Sequence, residues 1–274
     1  MKKWALHFLI FLLCTHFSAN AQVFVNQPVG ARSASLGNAS AALSGAEALF
    51  HNQAGMATVN NLSIILSCDS RYLIKELSLM AAGVVIPSGS GTFGCSVTRF
   101  GTGDFSNNQI NLAYAKELGK YVSAAVAFNY LSVRLPENSS PFSAMTFECG
   151  IIGGLPGKWK AGVHIFNPVM AKINLPLGKV AVPWQVRSGI VWFITPILMQ
   201  CNEVDFGLDK PATLHTGLEF SPFPEISFRA GIAGNPPELS FGTGLRVGKV
   251  DIDISFTYHG YLGFTPVAGI TVQP

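Results

Sequence analysis

Period-two alternation of apolar and polar side chains, repeated along most of the chain, is the feature that most restricts what this sequence can fold into. From Val250 to Tyr258 the residues read Val, Asp, Ile, Asp, Ile, Ser, Phe, Thr, Tyr, which puts five apolar groups on one face of an extended chain and four polar groups on the other. The same pattern recurs at 225–232, where Ile226, Phe228, Ala230 and Ile232 oppose Ser227, Arg229 and Gly231. It recurs again at 239–247, 214–220, 122–130 and 109–114. Such segments are strands with one face in an apolar medium. After the first residues no uninterrupted apolar run is long enough for a membrane-spanning helix; the nearest, 188–202, is broken by Thr195-Pro196.

A soluble sandwich would also alternate, but its outward faces need charge. Here only 12% of residues are charged, against about 25% in ordinary soluble domains, and the polar faces are mostly Gly, Ser, Ala and Thr. Since lipid leaves no water for unpaired backbone groups, the remaining membrane option is a closed barrel. We therefore expect an all-β fold: a transmembrane antiparallel β-barrel of 12 to 14 strands, about 14, over residues 62–274. Turn signals at 118–120, 195–196, 221–224, 235–237 and 248–249 give hairpin-length connections, and 135–141 and 167–183 read as longer outer loops. Aromatics near strand ends, including Tyr114, Tyr121, Phe128, Tyr130, Trp159, Trp184 and Trp192, suit interfacial girdles.

The N-terminus reads as an export signal: Lys2 and Lys3, an apolar run from Trp4 to Leu13, then Ala19-Asn20-Ala21 with cleavage expected before Gln22. Cys14 follows Leu13, a poor lipoprotein site, so no lipid anchor is expected. Losing Lys2 and Lys3 brings 18 basic residues to 16 against 15 acidic, a balance that gives no electrostatic case for nucleic acid. Residues 22–61 differ from the rest. They are small-residue rich, lack alternation and hold the helix-compatible run Ala39 to Phe50, so we expect a short helical plug inside the lumen, with Arg32, Glu47 and Asn52 as its polar contacts.

No motif supports an enzyme. Gly89-Ser90-Gly91-Thr92-Phe93-Gly94 fits a dinucleotide fingerprint in letters but leads into a strand where a helix is required, so it reads as a hairpin turn. His51, His164, His215 and His259 show no ligand spacing, and there is no G-x-S-x-G elbow. Neither metal nor cofactor is expected. Cys68, Cys95, Cys149 and Cys201 are widely spaced and read as small apolar-environment residues, though export permits a disulfide. The inward charges Glu148, Arg187, Glu219, Arg229, Arg246, Asp251 and Asp253 alternate in sign and read as a paired lumen network.

The segment Gly30-Ala31-Arg32-Ser33-Ala34-Ser35-Leu36-Gly37, with Ala46 to Phe50 and Asn52-Gln53-Ala54-Gly55-Met56-Ala57, resembles the N-terminal signature of long-chain fatty-acid transporter barrels of the FadL type, and most nearly their PorV and PorQ branch, linked to type IX protein secretion. Gly217-Leu218-Glu219, Arg229-Ala230-Gly231, Gly242-Thr243-Gly244-Leu245-Arg246 and Val250-Asp251-Ile252-Asp253 extend the likeness over most of the chain. Two departures stand out: the family usually has Asn-Pro-Ala where this chain has Asn52-Gln53-Ala54, and such barrels usually end on an aromatic where this one ends on Pro274, leaving Phe264 or Val272 to serve. The resemblance implies 14 strands with the N-terminal segment in the lumen of an outer-membrane protein. It implies either passage of hydrophobic molecules gated by that segment or a shuttle and docking role for envelope or secreted proteins. Because the inward residues read as mainly small or charged, with no continuous apolar lining, the docking role is the first expectation and a passive channel the alternative.

Overall fold

The computed structural model describes residues 28–136, 140–176, 178–208, 210–234 and 236–274; the expected signal peptide lies outside them. Fourteen strands close into one antiparallel barrel. They are β1 (Ser63–Ser70), β2 (Ser78–Ser88), β3 (Gly91–Phe100), β4 (Ser106–Glu117), β5 (Val122–Arg134), β6 (Phe142–Leu155) and β7 (Trp159–Phe166), then β10 (Gln185–Thr195), β11 (Leu198–Gly207), β12 (Lys210–Phe223), β13 (Ile226–Ala233), β14 (Glu238–Val247), β15 (Val250–His259) and β16 (Gly263–Val272). Each pairs with its sequence neighbour, and β1 pairs with β16 to close the ring, with Ile64 opposite Val272. The short strands β8 (Lys172–Leu175) and β9 (Gly178–Ala181) form a separate hairpin between β7 and β10. Closure leaves no edge strand unpaired, as a lipid environment demands.

The alternation maps onto the wall. In β15, Ile252, Ile254, Phe256 and Tyr258 are exposed on the outer surface while Asp253 and Ser255 are buried inside. In β5, Val126 and Phe128 point out, and Ala125, Ala127 and Asn129 point in. The outer surface is thus a continuous apolar belt, which in water would be a severe liability and in lipid is the stable face.

The connections at one end are all short, as at Gly89-Ser90, Ile197, Pro224-Glu225 and Gly248-Lys249, and the longest connections, such as 71–77 and 167–184, fall at the opposite end. The Gly89-Ser90 turn lies within the expected hairpin, and Gly91 beyond it takes φ 152, a backbone conformation that favours glycine. Trp159 lies opposite Trp192 near the tight-turn end, both exposed, with Tyr121 exposed at the same end. Tyr258 and Phe264 pack near the other with their rings tilted by 47° and their centroids 4.9 Å apart. Cys68, Cys95, Cys149 and Cys201 are all free thiols.

Candidate functional site: the occupied lumen

Residues 28–58 lie inside the barrel. They form one short helix, α1 (Ala31–Ser35), and two 3-10 turns, Ala46–Phe50 and Gln53–Thr58. The expected continuous helix over 39–50 does not form. Gly45 sits at φ 123, and the backbone N–H groups of Ser40 and Ala41 donate to the Glu203 carboxylate at 2.8 and 2.7 Å instead of entering a helical ladder. An outside acceptor has satisfied donors that would otherwise favour a helix.

The inward glycines of the strands are the seats for this segment. A Cβ on Gly217 or Gly231 would collide with the backbone at Leu36 and Gly37, one on Gly162 with the Ala41 carbonyl, one on Gly150 with the Asn52 side chain, and one on Gly94 with Leu49 and Met56. Backbone meets backbone at a separation that no other residue allows. This explains why the inner faces of the strands are so poor in large side chains.

The two halves of the lumen hold the segment by different means. On the β10–β15 side the grip is ionic. Arg32 donates twice to Glu219, at 2.9 and 3.0 Å; Glu219 also receives Arg229 at 2.6 Å; and Arg229 reaches on to Asp253. Gly244 leaves the space through which the Arg229 side chain crosses to Asp253. Arg187 donates to Glu203 at 2.7 Å and to the Asn38 carbonyl at 2.7 Å. On the side of β1 to β6, Leu49 and Met56 pack with Ile65, Val85, Ala113, Ala115, Ala125, Ala127 and Ile152 in an apolar cluster. The inner lining is therefore apolar on one flank. The alternation reading missed this because the strands supply mainly alanines there, and the bulk comes from the segment.

Glu148 centres a second polar group. It accepts from Gln53 at 2.8 Å and Asn129 at 2.6 Å and contacts His164 Nε2 at 2.8 Å. Asn52 donates to the Ala41 carbonyl at 2.6 Å, and its side-chain oxygen caps Ala54. Of the residues singled out from sequence, Arg32, Arg187, Glu219, Arg229, Asp253, Glu148 and Asn52 thus meet at the segment–wall interface. Arg246 and Asp251 do not join them. They pair with each other at 2.6 Å on the β14–β15 hairpin, Arg246 being 60% exposed, because the turn at Gly248-Lys249 lifts them to the rim. Replacing Arg246 by alanine should change unfolding free energy by less than about 1 kcal/mol; a urea titration of the folded barrel would reveal a larger effect.

Glu47 faces Arg32, Arg229, Asp253 and Glu219 without a hydrogen-bond partner among the described residues; burial and the Asp253 charge push its carboxyl up to about 7. Burial and nearby Arg187 hold the His51 imidazole down to about 3. The Arg32 guanidinium, beside Glu219, is raised further above its ordinary value.

Sequence reasoning missed Glu203, Gln53, His164 and Asn167. The strand holding Glu203 has polar residues on both faces, Gln200 and Asn202 alternating with Glu203 and Asp205, so alternation could not assign its inside. Asn167, at φ 55, ties the β8–β9 hairpin to the barrel: it donates to the Val182 carbonyl at 2.9 Å and accepts from Thr146 at 2.7 Å. That hairpin buries Ile173, with the adjoining Val182, against Leu131, Val133 and Phe166 at the long-loop mouth.

No family model matches the chain, and no curated protein matches it. Solved structures do. A FadL homologue from Pseudomonas aeruginosa superimposes with a TM-score of 0.68 at 11% identity over 90% of this chain and 99% of that one. The toluene transporter TodX of Pseudomonas putida gives 0.63 at 11% identity over 92% and 98%. The toluene transporter TbuX of Ralstonia pickettii gives 0.58 at 13% identity over 89% and 98%. At these identities the likeness is one of architecture, and the chain shares the closed 14-strand fold of the FadL-type transporter barrels.

Proposed function

We propose that the protein is a non-enzymatic outer-membrane channel for hydrophobic small molecules, gated by residues 28–58. The observation that carries this reading is the apolar flank of the lumen, where Leu49 and Met56 of the segment meet Ile65, Val85 and the inward alanines of β4 and β5. Shifting Leu49 and Met56 away from that wall breaks dispersion contacts, together with the Gln53–Glu148 and Ser123–Ala54 hydrogen bonds at its margin, while the ionic side stays clasped, so a path opened beside them would be lined largely by apolar groups. The architecture shared with toluene transporters supports the same reading. Short turns at one end and longer loops at the other fit the periplasmic and outer faces of such barrels. Vesicles with a lipopolysaccharide outer leaflet should take up toluene faster when they contain the protein, and faster again when residues 28–58 are deleted. Uptake equal to that of protein-free vesicles in both cases would sink the channel.

A second reading is a docking or shuttle barrel for exported or envelope proteins. It is favoured by the double closure of the lumen, by the segment below and by the β8–β9 hairpin above, and by the resemblance of residues 30–57 to the secretion-linked branch. Absent uptake, together with a stoichiometric exported protein in the native detergent extract, would select it.

A further inference from the structure

At the tight-turn end, beneath the segment, lies a cavity of about 410 Å³, within the range of small-molecule sites. Its walls carry five carboxylates and three guanidinium groups. The guanidinium groups are all engaged: Arg32 by Glu219, Arg229 by Glu219 and Asp253, and Arg246 by Asp251. Among the described residues Glu47 has no hydrogen bond or ion pair. Deeper in the same wall His51 is 2% exposed; its ring feels the Val29 backbone as a weak hydrogen-bond acceptor, and neither nitrogen has a partner of good geometry, which leaves the acceptor nitrogen unsatisfied. A buried polar group is normally satisfied, so an imidazole nitrogen without a good partner and an unpaired carboxylate lining one cavity indicate what is missing.

The missing group is a donor. An anion would find each arginine already occupied. A metal ion would need more ligands than are gathered here, since no group of three His, Cys, Asp or Glu side chains is placed to hold one among the described residues. An ammonium or guanidinium group has several N–H donors and no acceptor, which matches a carboxylate and a neutral imidazole nitrogen. We propose that this cavity binds a small organic cation, its ammonium or guanidinium group held by Glu47 and His51. The binding is separate from the apolar flank and does not depend on the channel reading.

With its carboxyl near 7, Glu47 is partly protonated in the empty cavity at neutral pH. A bound cation favours the carboxylate, so binding releases a proton and strengthens as pH rises. Below pH 7 the affinity should fall about tenfold per unit, and above it should level off. The facing charges are Asp253 and Glu219, which hold the proton on, and Arg32 and Arg229, which draw it off.

Calorimetric titration of the full barrel in lipid nanodiscs with n-butylammonium and n-butylguanidinium tests this, with butyrate and butanol as controls. Saturable one-site binding of the cations is expected, tighter at pH 8 than at pH 6, with the controls silent. Glu47→Gln should abolish it and His51→Phe weaken it, in barrels shown to be folded by their heat-modifiable migration. Should either variant fail to fold, the pH dependence of the unaltered protein still decides. Absence of saturable cation binding at pH 8, affinity independent of pH, or undiminished binding by folded Glu47→Gln would each overturn the proposal.

Discussion

Replacing Arg229 by alanine should destabilise the folded barrel by about 3–5 kcal/mol and at the same time loosen the lumen. Arg229 is buried and lies between two carboxylates, Glu219 at 2.6 Å and Asp253. Removing the cation leaves both acids short of a partner in a site that water barely reaches, and that uncompensated charge, more than the lost attraction, sets the size of the effect. Glu219 would still hold Arg32, so the segment keeps one clasp but loses the cross-strand brace from β13 to β15. Urea unfolding in detergent measures the first effect, and single-channel conductance in planar bilayers the second. A variant as stable and as silent as the parent would show that the ionic flank does not anchor the segment. Arg229→Lys should recover only part of the loss, because one ammonium cannot reach two carboxylates with the geometry of a guanidinium fork.

Placing valine at Gly217 should expel the segment while leaving the wall intact. The new Cβ would stand 2.6 Å from the Leu36 carbonyl oxygen and 2.8 Å from its Cα, so the approach of the two backbones is blocked. Overpacking of this kind costs about 1–3 kcal/mol, and here displacement of residues 28–58 relieves it. The strand itself accepts valine, which favours extended chain. The expected result is a barrel that still shows heat-modifiable migration, with residues 28–58 newly open to protease and with raised permeability. A protected segment and unchanged flux would contradict the role given to the glycine seats.

Much of this architecture is legible in the sequence, for definite physical reasons. In β13 to β15 each side chain faces either lipid or lumen, so the period of two reads directly as wall geometry, and Arg229 and Asp253 could be placed inside from spacing alone. Arg246 and Asp251 followed the same spacing yet pair at the rim, because alternation records the face of a strand and not the depth along it. The segment was legible only as an exception to alternation. Its internal shape depends on acceptors distant in sequence, such as Glu203 for Ser40 and Ala41, and local propensity does not contain them. The apolar flank escaped notice because it is shared between alanines of the wall and Leu49 and Met56 of the segment. Gln53 is instructive. It stands where the motif that residues 52–57 resemble has proline, and its side chain donates to Glu148 at 2.8 Å, a bond that proline could not make. What reads as a weakened motif is a local exchange of a rigid ring for a hydrogen bond.

The seam where Ile64 meets Val272 joins the two ends of the barrel across more sequence than any other ladder, and α1 and the Ala46–Phe50 turn touch strands on both of its sides. Closure of so distant a pair is entropically the slowest event in assembling the wall. A segment already resting on β13 to β16 at one end, and joined to β1 at the other, shortens that search by carrying the first strand to the last. A chain lacking residues 28–58 should therefore close more slowly, as followed by the appearance of heat-modifiable migration during refolding, even though every wall residue is present.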